Sequence, residues 1–360
     1  MGKQSVIILT NELGGKGGTE SVIDAWTRMA ELNQVHDIHV LIPFGNSNVM
    51  RLYAKNSRIT INSHINHVKF MKKMNAVIYV VWHLLRRNPD IVIAISPLMV
   101  QLARIARRIS GRKFKIVSWF HFTTRILTKR QIKQLCRADF HLAISTGLEK
   151  ELILNGVPQN NIFCIYNPFT PSTSLHTIKR SADGVMRYVY VGRIDWNGQK
   201  NLQLLFNGLK AVDFYWTLDV YGQGSPEDTA RIRDFLHENL LEECVHMHGW
   251  VDSPFSDIEN ADYLLSTSKF EGFGLSILES ASVGLPVISS DCPVGPDDIV
   301  TPDNGYLFTN ENKAEFVKAL TTSKKHANNF SSEKIKATVT RFTENNYQKL
   351  VLAALDALGD

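Results

Sequence analysis

Short runs of Val, Ile and Leu recur along this chain, and each passes into a segment of helical period ten or more residues long. "QSVIILT", "DIHVLI", "DIVIAIS", "FKIVSWF" and "FHLAIS" are apolar at nearly every position instead of every second one. A strand of that kind needs cover on both faces, which is the condition of a parallel sheet between layers of crossover helices. "QSVIILT" leads through the glycine loop "NELGGKGG" to a helix expected from about Thr19 to Leu32. "DIVIAIS" passes at Ser96 into "LMVQLARIARRIS", and "FHLAIS" passes at Ser145 into "GLEKELILNG". The pattern breaks into Pro, Ser and Thr near "NPFTPSTSLHTIKRSADG", then restarts with "MRYVYVGRI", "WTLDVYG", "VHMHGW", "ADYLLSTS" and "PVISSD". At 360 residues the chain is long enough for two cores. The expected fold class is therefore α/β, with a doubly wound domain over 1–170, a linker over 171–185 and a second doubly wound domain over 186–340. A terminal helix over 341–360 carries Leu350, Val351, Ala354, Leu355 and Leu358 on one stripe, suited to packing back on the N-terminal domain. Two such domains would face one another across a cleft, with ligands at the carboxyl ends of the strands.

Charge divides the chain. Residues 1–170 hold 23 basic and 9 acidic side chains, and residues 171–360 hold 17 and 26. The basic residues gather in "KFMKK", "RIARRISGRKFK" and "RILTKRQIKQLCR", which suits anionic membrane lipid, a phosphorylated glycan or nucleic acid, or else ordinary solvated helix faces; aromatic residues are sparse among them for a nucleic-acid groove. The longest apolar run, "NAVIYVVWHLL", is shorter than the roughly 20 residues a membrane helix needs. "VIILT" is too short for the core of a signal peptide, and Val6 stands where an N-myristoylation site wants Ser or Thr. Cys136, Cys164, Cys244 and Cys292 are scattered, as in a protein of the reducing cytoplasm.

The stretch richest in chemistry is "SKFEGFGLSILESASVGLPVISSD". Glu271 lies in a turn that follows a buried strand, and Glu279 lies early in the next helix, with Gly272, Phe273, Gly274 and Leu275 between them. Eight helical steps would separate the carboxylates by about 12 Å, too far for one acid–base pair. They suit two grips on an elongated ligand, and the helix start near Leu275 offers N–H groups and a positive dipole to an anion between them. Upstream, "GRIDWNGQKN" sets Arg193 and Lys200 beyond a strand end, where fixed cations would meet a departing diphosphate.

Together these segments resemble glycosyltransferase family 4, the retaining nucleotide-sugar transferases of GT-B architecture. "KFEGFGLSILESASVGLPVIS" looks like the family's E-x7-E signature, "VYVGRIDWNGQKN" its G-R…K-N segment, "VYGQGSPE" its G-x-G turn and "IYNPF" the end of its N-terminal domain. "SWFHF", "ADFHLAIS" and "SSDCPVGPDDI" are further similar to bacterial surface-glycan hexosyltransferases, lipopolysaccharide core galactosyltransferases among them. The resemblance implies Arg193 and Lys200 on the diphosphate, Glu279 on the ribose and Glu271 on the donor sugar. It also implies a hydrogen bond from His121 to the sugar or reacting centre, and nucleotide-sugar contacts at Gly15, Gly17, Gly192 and Gly222. Trp250, after a strand where the family holds its base, is a candidate wall for that base. His246 and His248 alternate along one strand without a third metal ligand and are expected to pack there.

The function so implied is metal-independent transfer of a hexose (glucose, galactose or N-acetylhexosamine) from a UDP-sugar to a hydroxyl of a bacterial surface glycan. No cofactor beyond the donor is expected. The acceptor would be a glycan or lipid-linked glycan presented at the inner face of the cytoplasmic membrane. A nucleotide-sugar epimerase of the same architecture, which would release sugar without an acceptor, and a non-catalytic GT-B partner subunit are the alternatives.

Overall fold

The structure, a computed structural model, describes residues 3–10, 18–44, 58–62, 69–169, 178–181, 183–326 and 329–358. The chain divides into two compact units, one of Met1–Pro168 with Asn345–Asp360 and one of Phe169–Glu344.

In the first unit seven strands run parallel: β1 (Gln4–Leu9), β2 (His36–Ile42), β3 (Ile59–Ile61), β4 (Ile91–Ala94), β5 (Lys115–Ser118), β6 (Phe140–Ala143) and β7 (Ile162–Cys164). Their order is β3-β2-β1-β4-β5-β6-β7. The helices are α1 (Gly18–Arg28), α2 (Ala30–Val35), α3 (Lys69–Arg87), α4 (Pro97–Ser110), α5 (Lys129–Leu135) and α6 (Thr146–Leu154). Val6 to Leu9 and Ile91 to Ala94 are fully buried, as strands covered on both faces must be. The strand-to-helix passages carry their own stops and starts. Ser96 and Ser145 are extended N-caps whose hydroxyls accept from Met99 N and Leu148 N, and Gly111 ends α4 in the left-handed region.

The single helix expected over 19–32 is two, interrupted at Met29, whose ψ of 115° is not helical. Asn33 accounts for the local geometry. Its side-chain amide donates to the carbonyls of Trp26 (3.0 Å) and Met29 (2.6 Å), competing with the backbone for them.

The second unit has six parallel strands: β8 (Met186–Val191), β9 (Trp216–Tyr221), β10 (Val245–Gly249), β11 (Tyr263–Ser266), β12 (Val287–Asp291) and β13 (Gly305–Thr309). Their order is β10-β9-β8-β11-β12-β13. The helices α7 (Leu202–Leu209), α8 (Pro226–Glu238), α9 (Pro254–Asp257), α10 (Leu275–Ser282), α11 (Pro296–Ile299), α12 (Lys313–Lys325) and α13 (Ser332–Thr338) complete it. Tyr188, Phe206, Leu218, Tyr263 and Phe316 centre its core. Part of the segment read as linker is built into this unit: Lys179 N donates to Glu259 O, and Asp262 accepts from Ser181 N, Ser181 Oγ and Arg187 N. Residues 170–177 and 182 of that segment lie outside the described residues.

The last helix, α14 (Glu344–Ala357), belongs from Asn345 onward to the first unit. Tyr347, Val351, Ala354, Leu355 and Leu358 form its buried stripe, while Leu350 faces solvent. Trp26 Nε1 donates to the Tyr347 hydroxyl at 2.6 Å inside the core, which joins the two ends of the unit's sequence. Removing that acceptor would leave a buried indole N–H unpaired. Tyr347→Phe is expected to cost about 1–3 kcal/mol of stability in urea denaturation; an unchanged midpoint and slope would show that the bond carries no weight.

Candidate active site

β8 and β11 are neighbours, yet the chain leaves β8 toward β9 on one side and β11 toward β12 on the other. A parallel sheet opens a crevice at such a reversal, at the carboxyl ends of its strands. The segments after β8 and β11 therefore meet there. Gly192 follows β8, and Gly222 follows β9 with φ of 152°. A Cβ on Gly222 would overlap the Gly192 carbonyl oxygen, so the two loops touch backbone to backbone and only glycine fits.

The loop from Arg193 to Asn201 is held from within and without. Asp195 accepts from Gly198 N (2.7 Å) and Lys200 N (3.3 Å), and Tyr190 donates its hydroxyl to Arg193 O at 2.7 Å. Gln199 and Thr267 then stitch the loop to the segment after β11. Lys269 N donates to Gln199 O, Gln199 Nε2 to Phe270 O, and the Thr267 hydroxyl to the carbonyls of Lys200 and Asn201. This brings Lys200 Nζ to 2.7 Å from Glu271 Oε1, which also accepts from Ser268 Oγ at 2.6 Å. Glu271 is buried and Lys200 nearly so. Arg193 instead projects into solvent with 61% of its side chain exposed, steered by Gln199 Oε1 at 2.9 Å.

Beyond Glu271 the chain turns into α10. Gly274 adopts φ of 97° and has no side chain with which to cap the helix, so its first turn offers N–H groups to a ligand. Phe273 points inward, against Phe342 at 5.3 Å, so only its backbone is available on the outer side. Gly295 closes the turn from behind, where a Cβ would overlap the Phe273 carbonyl. Glu279 lies on α10 with its side chain exposed; desolvation by nearby protein raises its carboxyl, to about 7 at most, because the exposure to water moderates the effect. The two glutamates thus differ in kind: one is neutralised by a lysine, the other has no cation within ion-pairing distance among the described residues.

An open cavity of about 610 Å³ lies at the ends of β8, β9 and β10, lined by Ile194, Gly222, Gln223, Arg233, Met247 and Gly249 among others. Trp250 is not one of its walls; the indole is exposed and donates Nε1 to Asp252 at 3.0 Å. His246 and His248 do not pack into the sheet as expected, because β10 is an edge strand. His246 is exposed, and His248 stacks on Tyr221 and meets Asp219 Oδ1 at 2.6 Å. Among the described residues no three His, Cys, Asp or Glu side chains are grouped as a metal site.

The first unit has a polar edge of its own. His121, just past β5, is buried against Trp119 with neither ring nitrogen hydrogen-bonded among the described residues, and burial lowers its pKa to about 3, so the ring is neutral. Trp119 Nε1 and Thr10 Oγ1, past β5 and β1, are also buried without partners among the described residues. The segment is anchored by Glu151 of α6, a buried carboxylate that accepts from Thr123 Oγ1, Thr124 N, Thr124 Oγ1 and Arg125 Nε at 2.6–3.1 Å. Gly15 and Gly17 lie outside the described residues. Sequence reasoning missed Ser268, Gln199 and Glu151. Only Glu151 carried a signal, an acid on the same helical face as Leu148 and Leu152.

Glu279 gives a pH signature. Its folded carboxyl holds its proton up to about 7, against an ordinary value of 4.5, so the unfolded chain releases that proton first. Wild-type stability relative to Glu279→Gln is therefore expected to fall as pH rises across this window. Urea unfolding of both proteins from below 4.5 to above 7 measures the difference, and a flat difference would remove the crowded carboxylate.

The comparisons with known proteins bear on this geometry. Residues 16–172 match the profile of the family described as Glycosyltransferase Family 4, and residues 186–323 that of Glycosyl transferases group 1. The chain is 34% identical over 277 residues to the lipopolysaccharide 1,6-galactosyltransferase of Escherichia coli (strain K12), covering 74% of this chain and 76% of that protein. The apo form of the lipopolysaccharide outer core galactosyltransferase WaaB superposes with a TM-score of 0.88 at 29% identity, over 98% of this chain and 99% of that one. Anabaena Alr3699/HepE in complex with UDP has the same fold, with a TM-score of 0.80 at 15% identity, over 98% and 100% of the two chains. With two parallel sheets of the GT-B type and the motifs at their strand ends, the chain is a glycosyltransferase and belongs to glycosyltransferase family 4.

Proposed function

We propose that this glycosyltransferase moves a hexose, with retention of configuration and without a metal, from a UDP-sugar to a hydroxyl of a bacterial lipopolysaccharide core. The observation that carries the reading is the Lys200–Glu271 pair in the turn that leads to the uncapped start of α10, with Arg193 exposed on the same loop as Lys200 and Glu279 further along the helix. A diphosphate fits between cations and helix start, Glu279 accepts from ribose hydroxyls, and Glu271 accepts from the sugar. The cavity at the ends of β8 to β10 has room for a base beside that diphosphate. The E. coli relative is named for galactosyl transfer to lipopolysaccharide, and the Anabaena neighbour holds UDP.

As the glycosidic bond breaks, charge develops on the departing diphosphate, where Arg193, Lys200 and the α10 dipole meet it without reorganisation. A phosphate oxygen of that leaving group takes the acceptor hydroxyl's proton on the face from which it departs, which gives retention. The neutral His121 ring, whose two nitrogens have no partner among the described residues, suits hydrogen bonds to sugar hydroxyls. The surplus of basic residues in the N-terminal half supports work at the anionic inner face of the cytoplasmic membrane, where a lipid-linked acceptor is presented.

Thermal shift with UDP, GDP and ADP, followed by transfer from UDP-hexoses to truncated lipopolysaccharide, tests the reading. UDP is expected to stabilise the protein and one UDP-hexose to be consumed with acceptor present. Lys200→Ala should lower turnover by about 10²–10³-fold. Glu279→Ala should weaken UDP binding by ten- to a hundredfold, the worth of one charged hydrogen bond at roughly 1.5–3 kcal/mol. Near-normal transfer in both variants, or indifference to every nucleotide, would overturn it.

A further inference from the structure

The apolar run "NAVIYVVWHLL" serves no part of the site described above, and it lies in α3. Ala76, Val80, His83 and Leu84 turn inward and are buried. Met74, Ile78, Trp82 and Leu85 do not: they are 46%, 59%, 52% and 43% exposed. At about 100° per residue these four fall within an arc of roughly 80°, opposite the buried face, and they extend about 16 Å along the helix. A water-facing helix carries polar residues there, so α3 is apolar on both sides. Arg86 closes over the outer stripe, its guanidinium 5.4 Å from the Trp82 ring.

Charge identifies what fits this stripe. From Lys69 to Ala138 the sequence holds 16 Lys and Arg and one acid, Asp90. That span includes α3, α4 and α5, which pack side by side in the first unit. Arg86, Arg104, Arg108, Lys129, Arg130 and Lys133 are exposed on them and Arg137 just past α5, and among the described residues of these helices only Arg107 is ion-paired, to Asp139. A second copy of this chain would bring like charge to like charge. Four half-exposed side chains also fall short of the roughly 800 Å² per partner of a standard protein interface. An anionic bilayer answers both features, since its headgroups meet the cations and its acyl boundary takes a shallow apolar stripe with an interfacial tryptophan. Among the described residues no helix is long and apolar enough to cross a membrane, so α3 would lie in the interface plane.

We propose that the outer face of α3, with Ile78 and Trp82 at its centre, inserts into the headgroup region of anionic membranes while the cations of α4 and α5 hold the surface. This rests on the reading of the chain as a peripheral enzyme and names the surface responsible.

The test is sedimentation of the full chain with vesicles of phosphatidylcholine, with and without phosphatidylglycerol. Wild type should bind the anionic vesicles only, and less at high salt. The double variant Ile78→Ser/Trp82→Ser should lose at least about tenfold in affinity, as expected for withdrawing two apolar side chains from the interface, while its circular dichroism and UDP thermal shift match wild type. Trp82→Phe should lose the blue shift of tryptophan emission on vesicle binding. The proposal is overturned by wild type that ignores anionic vesicles, by a double variant that binds them equally well, or by a dimer that the double variant dissociates. Donor hydrolysis measured on the same samples separates these outcomes from failure of the enzymatic reading.

Discussion

The ion pair between Lys200 and Glu271 is the contact on which the candidate site depends. Both groups are largely removed from water, and each ion in such a place carries a desolvation cost that good geometry must offset. Here Ser268 supplies a second donor to the same carboxylate oxygen, and Asp195, Gln199 and Thr267 fix the backbone on either side. The pair joins the loop after β8 to the turn after β11 at the reversal of strand order. It also stores the lysine's charge where an incoming anion would compete for it. A diphosphate that draws Lys200 Nζ away from Glu271 leaves the carboxylate free for hydroxyls, so the two halves of a nucleotide sugar would be recognised through one exchange of partners.

The backbone around this pair is unusual for the same reason. Gly222, Gly274 and Gly295 each stand where a side chain would strike a neighbouring carbonyl, or where φ is positive, and Asn201 holds φ of 52° at the start of α7. Short loops that pass within contact distance of one another leave no room for side chains between them. What they present outward is backbone N–H, the Arg193 guanidinium and the Glu279 side chain, with the Lys200–Glu271 pair set behind. The shape of that surface is set by the strand ends and by glycine, not by apolar packing.

The architecture was legible because it rests on patterns that are local and redundant. Apolar runs such as "VIIL" and "IVIA" admit only doubly covered strands, and Ser96 and Ser145 mark where strands hand over to helices. The site motifs were legible as types and spacings, but their pairings were not. Nothing near Lys200 in sequence says that its partner is Glu271, 71 residues on, because that contact follows from which strands are neighbours. Trp250 and Phe273 show the converse limit. Both are aromatic and near the motif, yet one is exposed beside Asp252 and the other buried on Phe342. The break at Met29 was invisible because a single side chain, Asn33, competes for the carbonyls there against sound helical periodicity.

α3 carries that limit furthest. In "NAVIYVVWHLL" nearly every residue is apolar, so periodicity cannot say which face turns inward, and a run of eleven residues suits a buried core helix or an interfacial one equally. The structure resolves this by exposure: one face meets the neighbouring helix α4, while the other leaves Trp82 and Ile78 in solvent beside arginine. A stripe exposed in this way would be an aggregation liability on a neutral protein. The dense positive charge of α3 to α5 opposes self-association and leaves an anionic surface as the favourable partner. Fold stability and the outer apolar face therefore draw on the same eleven residues, and a substitution such as Val80→Ser would disturb the first where Ile78→Ser disturbs only the second.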